Sequence, residues 1–255
     1  MTEVRDDQIL VSVVMPVYNA ASSIDRAVTS VLSQTLTNFE LILVDDASNR
    51  ATAEKLNLWK NKDNRVNLIR LEQNCGVSEA RNIGISKAKA KRIALADADD
   101  EWVPEKLAVQ LNFHRQKKCS FSCTEYFFGG AIVSGRPLIG YQDLLFNNVI
   151  NTSTVMVDSD QIVLRFSSQK RSEDYLEWLR IVKTNPIFLI KQPLATRSTT
   201  EGISSNKLKM AARRWVIYRR KEHLSLLYSI YCFAQYTLSG IKKHWRAKVK
   251  NISPI

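Results

Sequence analysis

The chain has 255 residues, of which 45% are apolar and 24% charged, with only 8 glycines and 6 prolines. This composition excludes a low-complexity chain, and the length suffices for a buried core in one large domain or in one domain with an appendage. The net charge of +12 and the isoelectric point near 9.6 indicate an anionic partner, which is a nucleic acid, an acidic lipid surface or a phosphorylated substrate.

The N-terminal segment and the cysteines bear on the compartment. Residues Met1 to Gln8 are polar and partly acidic, without the basic and apolar regions of a secretory signal. The four cysteines form no CxxC pair and have no metal-type spacing with the histidines. We therefore expect reduced thiols and a cytoplasmic protein.

The first half of the chain alternates apolar runs with amphipathic segments. The apolar runs predict four strands, Val11–Val17, Phe39–Val44, Val66–Leu71 and Arg92–Ala96. The segments between them predict three helices, Ile24–Leu32, Ala53–Lys60 and Val77–Ala88. Strands that are apolar on both faces and alternate with helices predict an α/β fold, with a Rossmann-like, mainly parallel sheet flanked by helices.

Three of the four predicted strands end in polar or acidic side chains. In sheets of this type, ligands bind beyond the carboxyl ends of the strands, so the coincidence predicts a binding site there. The side chains are Tyr18 and Asn19, Asp45 and Asp46, and Asp97 and Asp99.

The segment Ala96-Asp97-Ala98-Asp99-Asp100 places three carboxylates within four residues. Such carboxylates repel each other unless a cation neutralises them, and oxygen ligands suit a hard divalent ion such as Mg²⁺ or Mn²⁺. The same pattern is typical of a solvated acidic turn that caps the next helix. Taken alone, the segment leaves a metal site and an acidic turn as two open interpretations.

The second half of the chain is less regular. Its predicted strands are Phe121–Phe128, Thr152–Val157 and Ile187–Ile190, and its predicted helices are Glu105–Arg115, a short Gln142–Asn147 and one that opens at Ser172, its expected cap. Residues Thr196 to Asn206 are polar and predict a loop before the basic end of the chain.

The C-terminal part is strongly basic. From Lys207 to Lys250 the single acid is Glu222. The mostly apolar run Leu224–Ile241 is short for a membrane span and has apolar residues at helical spacing, so it predicts an amphipathic helix. The helix suits attachment to an anionic membrane surface, or packing on the domain with a solvated basic face.

Five motifs in order resemble the inverting family 2 glycosyltransferases, which have a GT-A fold. The resemblance extends from about Leu10 to Leu194. The motifs are Pro16-Val17-Tyr18-Asn19, Asp45-Asp46-Ala47-Ser48, the segment from Gly76 to Gly84 that contains Ala80-Arg81-Asn82, Asp97-Ala98-Asp99-Asp100, and Glu173-Asp174. Each motif is weak alone, and five at sensible spacing are specific.

The resemblance implies a GT-A domain with two halves and a helical appendage. Residues 1–105 are expected to form the half that binds a nucleotide sugar, and residues 106–200 the acceptor-binding half. Residues 201–255 are expected to form a basic amphipathic helical tail.

The resemblance also implies a UDP-sugar donor and residues that bind it. Asp46 is expected to accept a hydrogen bond from the uracil N3–H, and Tyr18 to cover the base. Asp46 is equally typical of an Asx turn or helix cap, Arg81 of a surface ion pair and Arg197 of a solvated loop. The donor-binding residues implied are Pro16, Tyr18, Asn19, Asp46, Arg81, Asp97 and Arg197.

The acidic segment is implied to hold Mn²⁺ or Mg²⁺. Asp99 is expected to bind the metal directly, and Asp97 to contact the ribose or the water shell of the metal. The metal would offset the charge that develops on the departing UDP. Asp100 is expected to cap the helix entered through Pro104 instead.

The resemblance further implies that Asp174 is the general base. Inversion needs one carboxylate that deprotonates the acceptor hydroxyl as it attacks, with no covalent intermediate. Glu173 and Trp178 are expected on the acceptor side. First-turn acids of a helix, and core packing of Trp178, are the competing interpretations.

The function expected from the resemblance is transfer of a single sugar to a glycan or polyprenyl-diphosphate-linked acceptor in bacterial surface polysaccharide synthesis. The chain lacks the Gln-x-x-Arg-Trp motif of processive synthases. It also has Ala47 where the family usually has glycine, which bears on the turn geometry. We expect the protein in the cytoplasm, with peripheral attachment at the inner membrane.

Two other functions compete with this interpretation. A nucleic-acid-binding protein would use the basic tail, but no base-reading motif accompanies it, so no specific nucleic-acid partner is expected. A nucleotidylyltransferase would open with a Gly-rich basic loop, where this chain has Pro16-Val17-Tyr18-Asn19.

Overall fold

The computed structural model of the protein describes residues 8–168, 172–199 and 207–250. Residues 200–206, most of the predicted polar loop, lie outside the described residues, as do the last five residues of the predicted tail. The strands are β1 (Val11–Val17), β2 (Phe39–Asp45), β3 (Val66–Arg70), β4 (Arg92–Leu95), β5 (Glu101–Trp102), β6 (Phe121–Phe128), β7 (Ala131–Val133), β8 (Leu138–Ile139), β9 (Met156–Asp158) and β10 (Ile187–Thr196).

The helices cover the sheet and form the C-terminal part. They are α1 (Ile24–Leu32), α2 (Arg50–Lys62), α3 (Val77–Ser86), α4 (Lys106–Lys117), α5 (Tyr141–Phe146), α6 (Glu173–Val182), α7 (Lys207–Val216) and α8 (Leu226–Lys250). A short 3₁₀ helix spans Thr152–Thr154 and a π-helical turn spans Ile217–Lys221.

The described strands form one sheet in the order β3-β2-β1-β4-β9-β6-β10-β5, with β7 beside β6 and β8 beside β10. The first four strands in this order are parallel, and β9 runs antiparallel to both of its neighbours. The predicted mainly parallel α/β sheet is confirmed for the first half of the chain. Strands β1 and β2 are buried along their whole length and β4 at three of its four residues, as in a sheet covered by helices, whereas the edge strand β3 is buried at Val66 and partly exposed beyond it.

Two sequence features are compatible with the position of β1 between β2 and β4 in the parallel sheet. Pro16 cannot donate a ladder hydrogen bond, but it lies beyond Val14, the last residue of β1 in register with β4. Gly84 allows α3 to lie close against β1, since a Cβ there would come within 2.4 Å of Cγ1 of Val14. The motif glycine is therefore a packing requirement.

Two predictions of secondary structure are wrong in detail, and three short strands were not predicted. The predicted strand Thr152–Val157 begins as a 3₁₀ helix, and strand β9 starts only at Met156. Strand β10 continues to Thr196, well past the predicted end at Ile190. The short strands β5, β7 and β8 have too few residues for an alternating pattern in the sequence.

The described residues divide into two compact units. The first comprises those of 1–139 and 150–198, and contains the sheet. The second comprises those of 140–149 and 199–255, and contains α5, α7 and α8. The sequence-based boundaries at residues 105 and 200 stay predictions.

Within the second unit, aromatic side chains hold the helices together. The Tyr218 hydroxyl donates a hydrogen bond to the carbonyl of Leu145, and the ring of Trp215 meets that of Phe233 edge-on at 5.8 Å. Among the described helices, none has the length and hydropathy of a membrane-spanning segment.

The first unit contains a buried lysine. Lys106 is fully buried, its ammonium group donates to Oε1 of Gln110 at 2.6 Å, and it lies 3.9 Å from the Trp102 ring centroid. Burial lowers the pKa of Lys106 to about 7, while burial raises the pKa of the neighbouring Cys123 to about 12. The lysine is therefore close to half-neutral near pH 7, and the thiol keeps its proton.

Lys106 predicts a specific pH dependence of stability. Between pH 7 and about 10.5 the unfolded chain holds more protons at this position, so the free energy of unfolding rises with pH, by at most about 1.4 kcal/mol per pH unit. We expect Lys106→Met to flatten this rise. Urea unfolding between pH 7 and 10 measures it. Lys62→Met, at an exposed lysine over Trp59, is the control and should keep the slope of the parent protein.

Candidate active site

The polar ends of three parallel strands lie side by side in the sheet. Strand β1 lies between β2 and β4, so the residues that follow these strands meet at one edge. Asn19 joins two of the ends, since its backbone N–H donates to Oγ of Ser48 and its side-chain oxygen accepts from the N–H of Asn49. Asp45 is fully buried and accepts from Arg70 Nε at 2.8 Å. Hydrogen bonds therefore hold the ends of β1, β2 and β3 to one another at the predicted site.

Asp46 organises the loop that leads into α3. Its Oδ1 accepts from the N–H of Cys75 at 2.7 Å, and its Oδ2 accepts from Asn74 Nδ2 and the N–H of Gly76, both at 2.9 Å. Gly76 has φ +88°, a conformation that favours glycine. Asp46 is only 2% exposed, and these three hydrogen bonds fix its carboxylate against the loop.

The helix-cap interpretation of Asp46 is wrong, because α2 is capped by Asn49, whose side chain accepts from the N–H of Thr52. Tyr18 follows β1, and Asp46 follows the neighbouring strand β2. The side chain of Tyr18 is 55% exposed, so its ring is accessible to a ligand. The base-binding roles of Asp46 and Tyr18 stay predictions.

The turn after β2 contains alanine at the position where the family usually has glycine. Ala47 has φ +55°, in the left-handed region. That conformation costs an L-residue about 1–2 kcal/mol. Alanine at this position therefore produces local strain in the turn.

Relief of this strain predicts a stabilising substitution. We expect Ala47→Gly to raise the free energy of unfolding by about 0.5–1 kcal/mol, after the greater entropy of glycine in the unfolded chain is subtracted. Ala51→Gly, the same change at an exposed residue of α2, should lower it by about 0.5–1 kcal/mol. Chemical denaturation measures both, and a stability loss at position 47 would contradict the interpretation.

Arg81 connects the acidic segment to helix α6. Its side chain is only 5% exposed, with NH2 2.7 Å from Oδ1 of Asp97 and NH1 3.3 Å from Oε1 of Glu173. The guanidinium also lies 5.2 Å from the Phe166 ring centroid. The surface-pair interpretation of Arg81 is wrong, since the residue is buried between two acids from separate parts of the chain.

The carboxylates of the acidic segment have different partners. Asp97 is held by Arg81, and its N–H donates to Oγ of Ser153. Asp99 is exposed and forms no ion pair among the described residues. Desolvation and the charge of Asp97 raise the pKa of Asp99, while Arg197 and Arg26 oppose the rise. Asp99 is therefore an exposed carboxylate without a cationic partner among the described residues.

Asp100 does not cap α4, which is a correction to the sequence prediction. Its buried Oδ2 accepts from Ser153 Oγ at 2.6 Å and Asn151 Nδ2 at 2.9 Å, and its Oδ1 accepts from the N–H of Ser198 at 2.9 Å. Desolvation and the charge of Asp97 raise the pKa of Asp100 to about 6. Asp100 thus fastens the acidic segment to the residues that precede 200–206.

Arg197 lies beside the acidic segment, as its predicted role requires. Its N–H donates to the carbonyl of Phe127 at 2.8 Å, and its guanidinium lies 5.0 Å from the Phe128 ring centroid. Its positive charge opposes the rise in the pKa of Asp99, and its hydrogen bond with Tyr126 opposes the burial that raises the pKa of that phenol. The cation therefore lies on the side of the unpaired carboxylate and is held by aromatic side chains.

Helix α6 begins at the two predicted acceptor-side acids. Desolvation, together with the charge of Asp174, raises the pKa of Glu173, and Arg81 opposes the rise. The Asp174 carboxylate is partly exposed and accepts from the N–H of Tyr175 at 2.7 Å. Ser172 precedes the helix with φ +65° and makes no side-chain cap bond, so the predicted serine cap is wrong.

The predicted acceptor-side role of Trp178 is also wrong. The side chain is fully buried, and its ring meets Phe121 and Phe166 edge-on at 5.4 and 5.8 Å. Trp178 therefore fixes α6 against the core and has no surface to offer an acceptor.

The acid pair Asp97 and Asp99 fits a divalent metal. No group of three His, Cys, Asp or Glu side chains arranged to hold a metal occurs in the part of the chain that the structure describes. Mg²⁺ is commonly bound by one or two carboxylates, with substrate phosphates and water completing its shell. Two oxygen donors, one of them with a raised pKa and no cationic partner, match that arrangement.

The bridge of Arg81 predicts an effect of a conservative substitution. We expect Arg81→Lys to lower kcat by about 10- to 100-fold, because a single ammonium cannot bond both acids in a planar fork, and small displacements of reacting groups have effects of this size. Steady-state kinetics measures it. Arg50→Lys, in the exposed pair with Glu54, is the control and should keep the parent kcat. Equal rates for both variants would contradict the role of the bridge.

Comparison with known proteins identifies the class. Residues 12–170 match the family described as "Glycosyl transferase family 2". The chain therefore belongs to glycosyl transferase family 2 and is a glycosyltransferase, which confirms the prediction from its motifs.

Full-length relatives are known from several bacteria. The chain is 35% identical over 246 residues to "Putative teichuronic acid biosynthesis glycosyltransferase TuaG" of Bacillus subtilis, which covers 92% of this chain and 97% of that protein. It is 33% identical over 250 residues to "UDP-Glc:alpha-D-GlcNAc-diphosphoundecaprenol beta-1,3-glucosyltransferase WfgD" of Escherichia coli, covering 93% and 96%.

Solved structures with the same fold include two ligand complexes. One is S. aureus TarS 1-349 with UDP-GlcNAc, with a TM-score of 0.68, 19% identity, and coverage of 89% of this chain and 71% of that chain. Another is the mannosyltransferase PcManGT of Pyrobaculum calidifontis with GDP-Man and Mn²⁺, with a TM-score of 0.63, 14% identity, and coverage of 82% and 61%. The GT-A fold prediction is confirmed.

Proposed function

We propose that the protein is an inverting, metal-dependent glycosyltransferase that moves one sugar from a UDP-sugar to a lipid-linked glycan acceptor in bacterial surface polysaccharide synthesis. The observation that carries the proposal is the bridge of Arg81, which joins Asp97 of the acidic segment to Glu173 at the start of α6. It supports an arrangement in which the expected base, Asp174, is near the donor-side acids, because Asp174 directly follows Glu173.

The donor assignment combines the relatives with the local chemistry. WfgD, at 33% identity over nearly its whole length, has UDP-Glc in its name. The exposed ring of Tyr18 suits contact with a base, and we assign Asp46, the carboxylate after β2, as the acceptor for an imide N–H such as that of uracil. Arg197 adds a cation for the diphosphate beside Asp99.

The metal would be held by Asp99, with Asp97 beside it, and when bound it would supply positive charge against the departing diphosphate. Arg81 forms ion pairs with both Asp97 and Glu173, so two of the clustered acids already have a cationic partner. This leaves Asp99 for the cation and Asp174 for the acceptor.

Asp174 is assigned the base. Its carboxylate is partly exposed and lies next to Glu173, which the guanidinium of Arg81 engages. The acceptor hydroxyl gives its proton to Asp174 as its oxygen forms the new bond to the anomeric carbon, and the bond to UDP breaks in the same step, which inverts the configuration.

The acceptor assignment rests on relatives whose names contain a diphosphoundecaprenol-linked GlcNAc. A lipid-linked acceptor of this kind is presented at a membrane surface. We therefore place the protein peripherally at the cytoplasmic face of the inner membrane, where nucleotide sugars are available.

A donor and acceptor assay tests the proposed reaction. The protein is incubated with each UDP-sugar of a panel, Mn²⁺ and a GlcNAc-diphosphate-lipid acceptor, and nucleotide release and product mass are measured. One UDP-sugar should be consumed with addition of one hexose unit, and NMR should give the inverted anomer. A retained anomer, or full activity after chelation of divalent ions, would overturn the corresponding part of the proposal.

The two carboxylates have separable tasks in this account. We expect Asp174→Asn and Asp99→Asn each to lower kcat by at least about 100-fold, since general-base catalysis contributes about 10²–10⁴-fold. Only Asp99→Asn should also weaken the stimulation by Mn²⁺. The control is Asp160→Asn, at an exposed acid paired with Lys91, which should keep the parent rate. Normal turnover of the Asp174 variant would show that the base lies elsewhere.

A further inference from the structure

Helix α8 carries an apolar stripe that faces solvent. Leu227, Ile230, Tyr231 and Leu238 are between 50% and 81% exposed, and Ala234 between them is exposed as well. Their spacing of three, four and seven residues places them on one face of the helix. The stripe covers eleven residue steps, or about 16 Å of helix.

The opposite face of α8 is already used. Ser229 and Cys232 are fully buried, and Phe233 packs its ring against Trp215. The Ser229 hydroxyl donates to the carbonyl of Ser225 at 2.8 Å. These contacts hold the helix within its unit. The half-exposed ring of Tyr231 also meets Phe146 of α5 edge-on at 5.6 Å, so the solvent-facing part of the stripe consists of Leu227, Ile230, Ala234 and Leu238.

The charge of the chain is concentrated around this helix. Residues 207–250 contain twelve of the 37 Lys and Arg residues and one of the 25 acids, so they contribute +11 of the net charge of +12. Arg219, Arg220 and Lys221 are exposed just before α8 begins. The single acid, Glu222, accepts a hydrogen bond from the Tyr141 hydroxyl.

We propose that the exposed stripe of α8 lies in the interface of an anionic lipid bilayer, with the preceding cations on the headgroups. An exposed apolar stripe next to strong positive charge is the combination that binds acidic membrane surfaces. The identity of the membrane, the inner membrane of a bacterium, rests on the proposed function. The binding surface rests on the exposed residues of α8.

Two other occupants fit the observations less well. A second copy of the chain seated on the stripe would bring two segments of charge +11 together, which repel each other. A nucleic acid would engage the cations but would leave Leu227 and Ile230 exposed to water. An anionic bilayer matches both the apolar and the charged part of the surface.

Vesicle flotation of the full chain, without donor or acceptor, tests the proposal. The protein should float with vesicles of 30% phosphatidylglycerol and stay behind with neutral phosphatidylcholine vesicles. Leu227→Gln/Ile230→Gln should lower the partition coefficient at least ten-fold, because about 0.8 kcal/mol is lost for each buried methylene. Arg220→Gln/Lys221→Gln should lower it about five-fold for each charge removed.

Matched controls make the result specific to the stripe. Leu58→Gln changes an apolar residue of α2 that is 68% exposed, and should leave vesicle binding unchanged. Equal flotation of the Leu227/Ile230 variant and the parent would overturn the proposal. So would a concentration-dependent dimer, seen by analytical ultracentrifugation, that this variant abolishes.

Binding and catalysis fail separately in these experiments. The stripe variants should keep the parent rate on a short-chain, water-soluble acceptor, and lose activity only on acceptor embedded in vesicles. An inactive protein that still floats would contradict the proposed reaction and leave the membrane surface standing. An active protein that binds neutral and anionic vesicles equally would contradict the charge-dependent part of the surface.

Discussion

The guanidinium of Arg81 lies between two acids that the chain brings from different elements, Asp97 after β4 and Glu173 at the start of α6. Because Arg81 is almost fully buried, its removal would leave two carboxylates without their cationic partner in a poorly hydrated place. The bridge therefore fixes the distance between the acidic segment and α6. The proposed catalytic arrangement depends on this distance, since Asp99 lies two residues after Asp97 and Asp174 directly follows Glu173.

The parallel sheet supplies the positions that the bridge joins. The order β2-β1-β4 gathers three strand ends at one edge, and β1 is buried along its full length. Asp46 and Asp100 then act in the same way on the two sides of the site. The carboxylate oxygens of each residue accept hydrogen bonds from a neighbouring loop, so buried hydrogen bonds hold these loops in place. Among the described residues, the exposed carboxylate of Asp99 and the partly exposed one of Asp174 make no such loop contacts.

The sequence predicted the parallel half of the fold and the strand ends well, because both depend on local patterns. It could not predict which acids would be paired, since Arg81 and Glu173 are 92 residues apart and no spacing rule connects them. The 3₁₀ turn at Ser153 was missed for the same reason. The Ser153 hydroxyl accepts a hydrogen bond from the N–H of Asp97 and donates one to Asp100, both in a distant segment of the chain. Trp178 carried a usable signal, since Tyr175, Trp178 and Leu179 have the spacing of one buried helix face.

The measurement that tests the central claim most directly is a crystal structure of the protein with UDP and Mn²⁺, with the metal located by anomalous scattering. The account predicts a manganese peak bound directly by Asp99, with Arg81 still between Asp97 and Glu173 and the Asp174 carboxylate open toward the sugar side. A metal bound away from Asp99, or an Arg81 side chain that has left both acids, would contradict it.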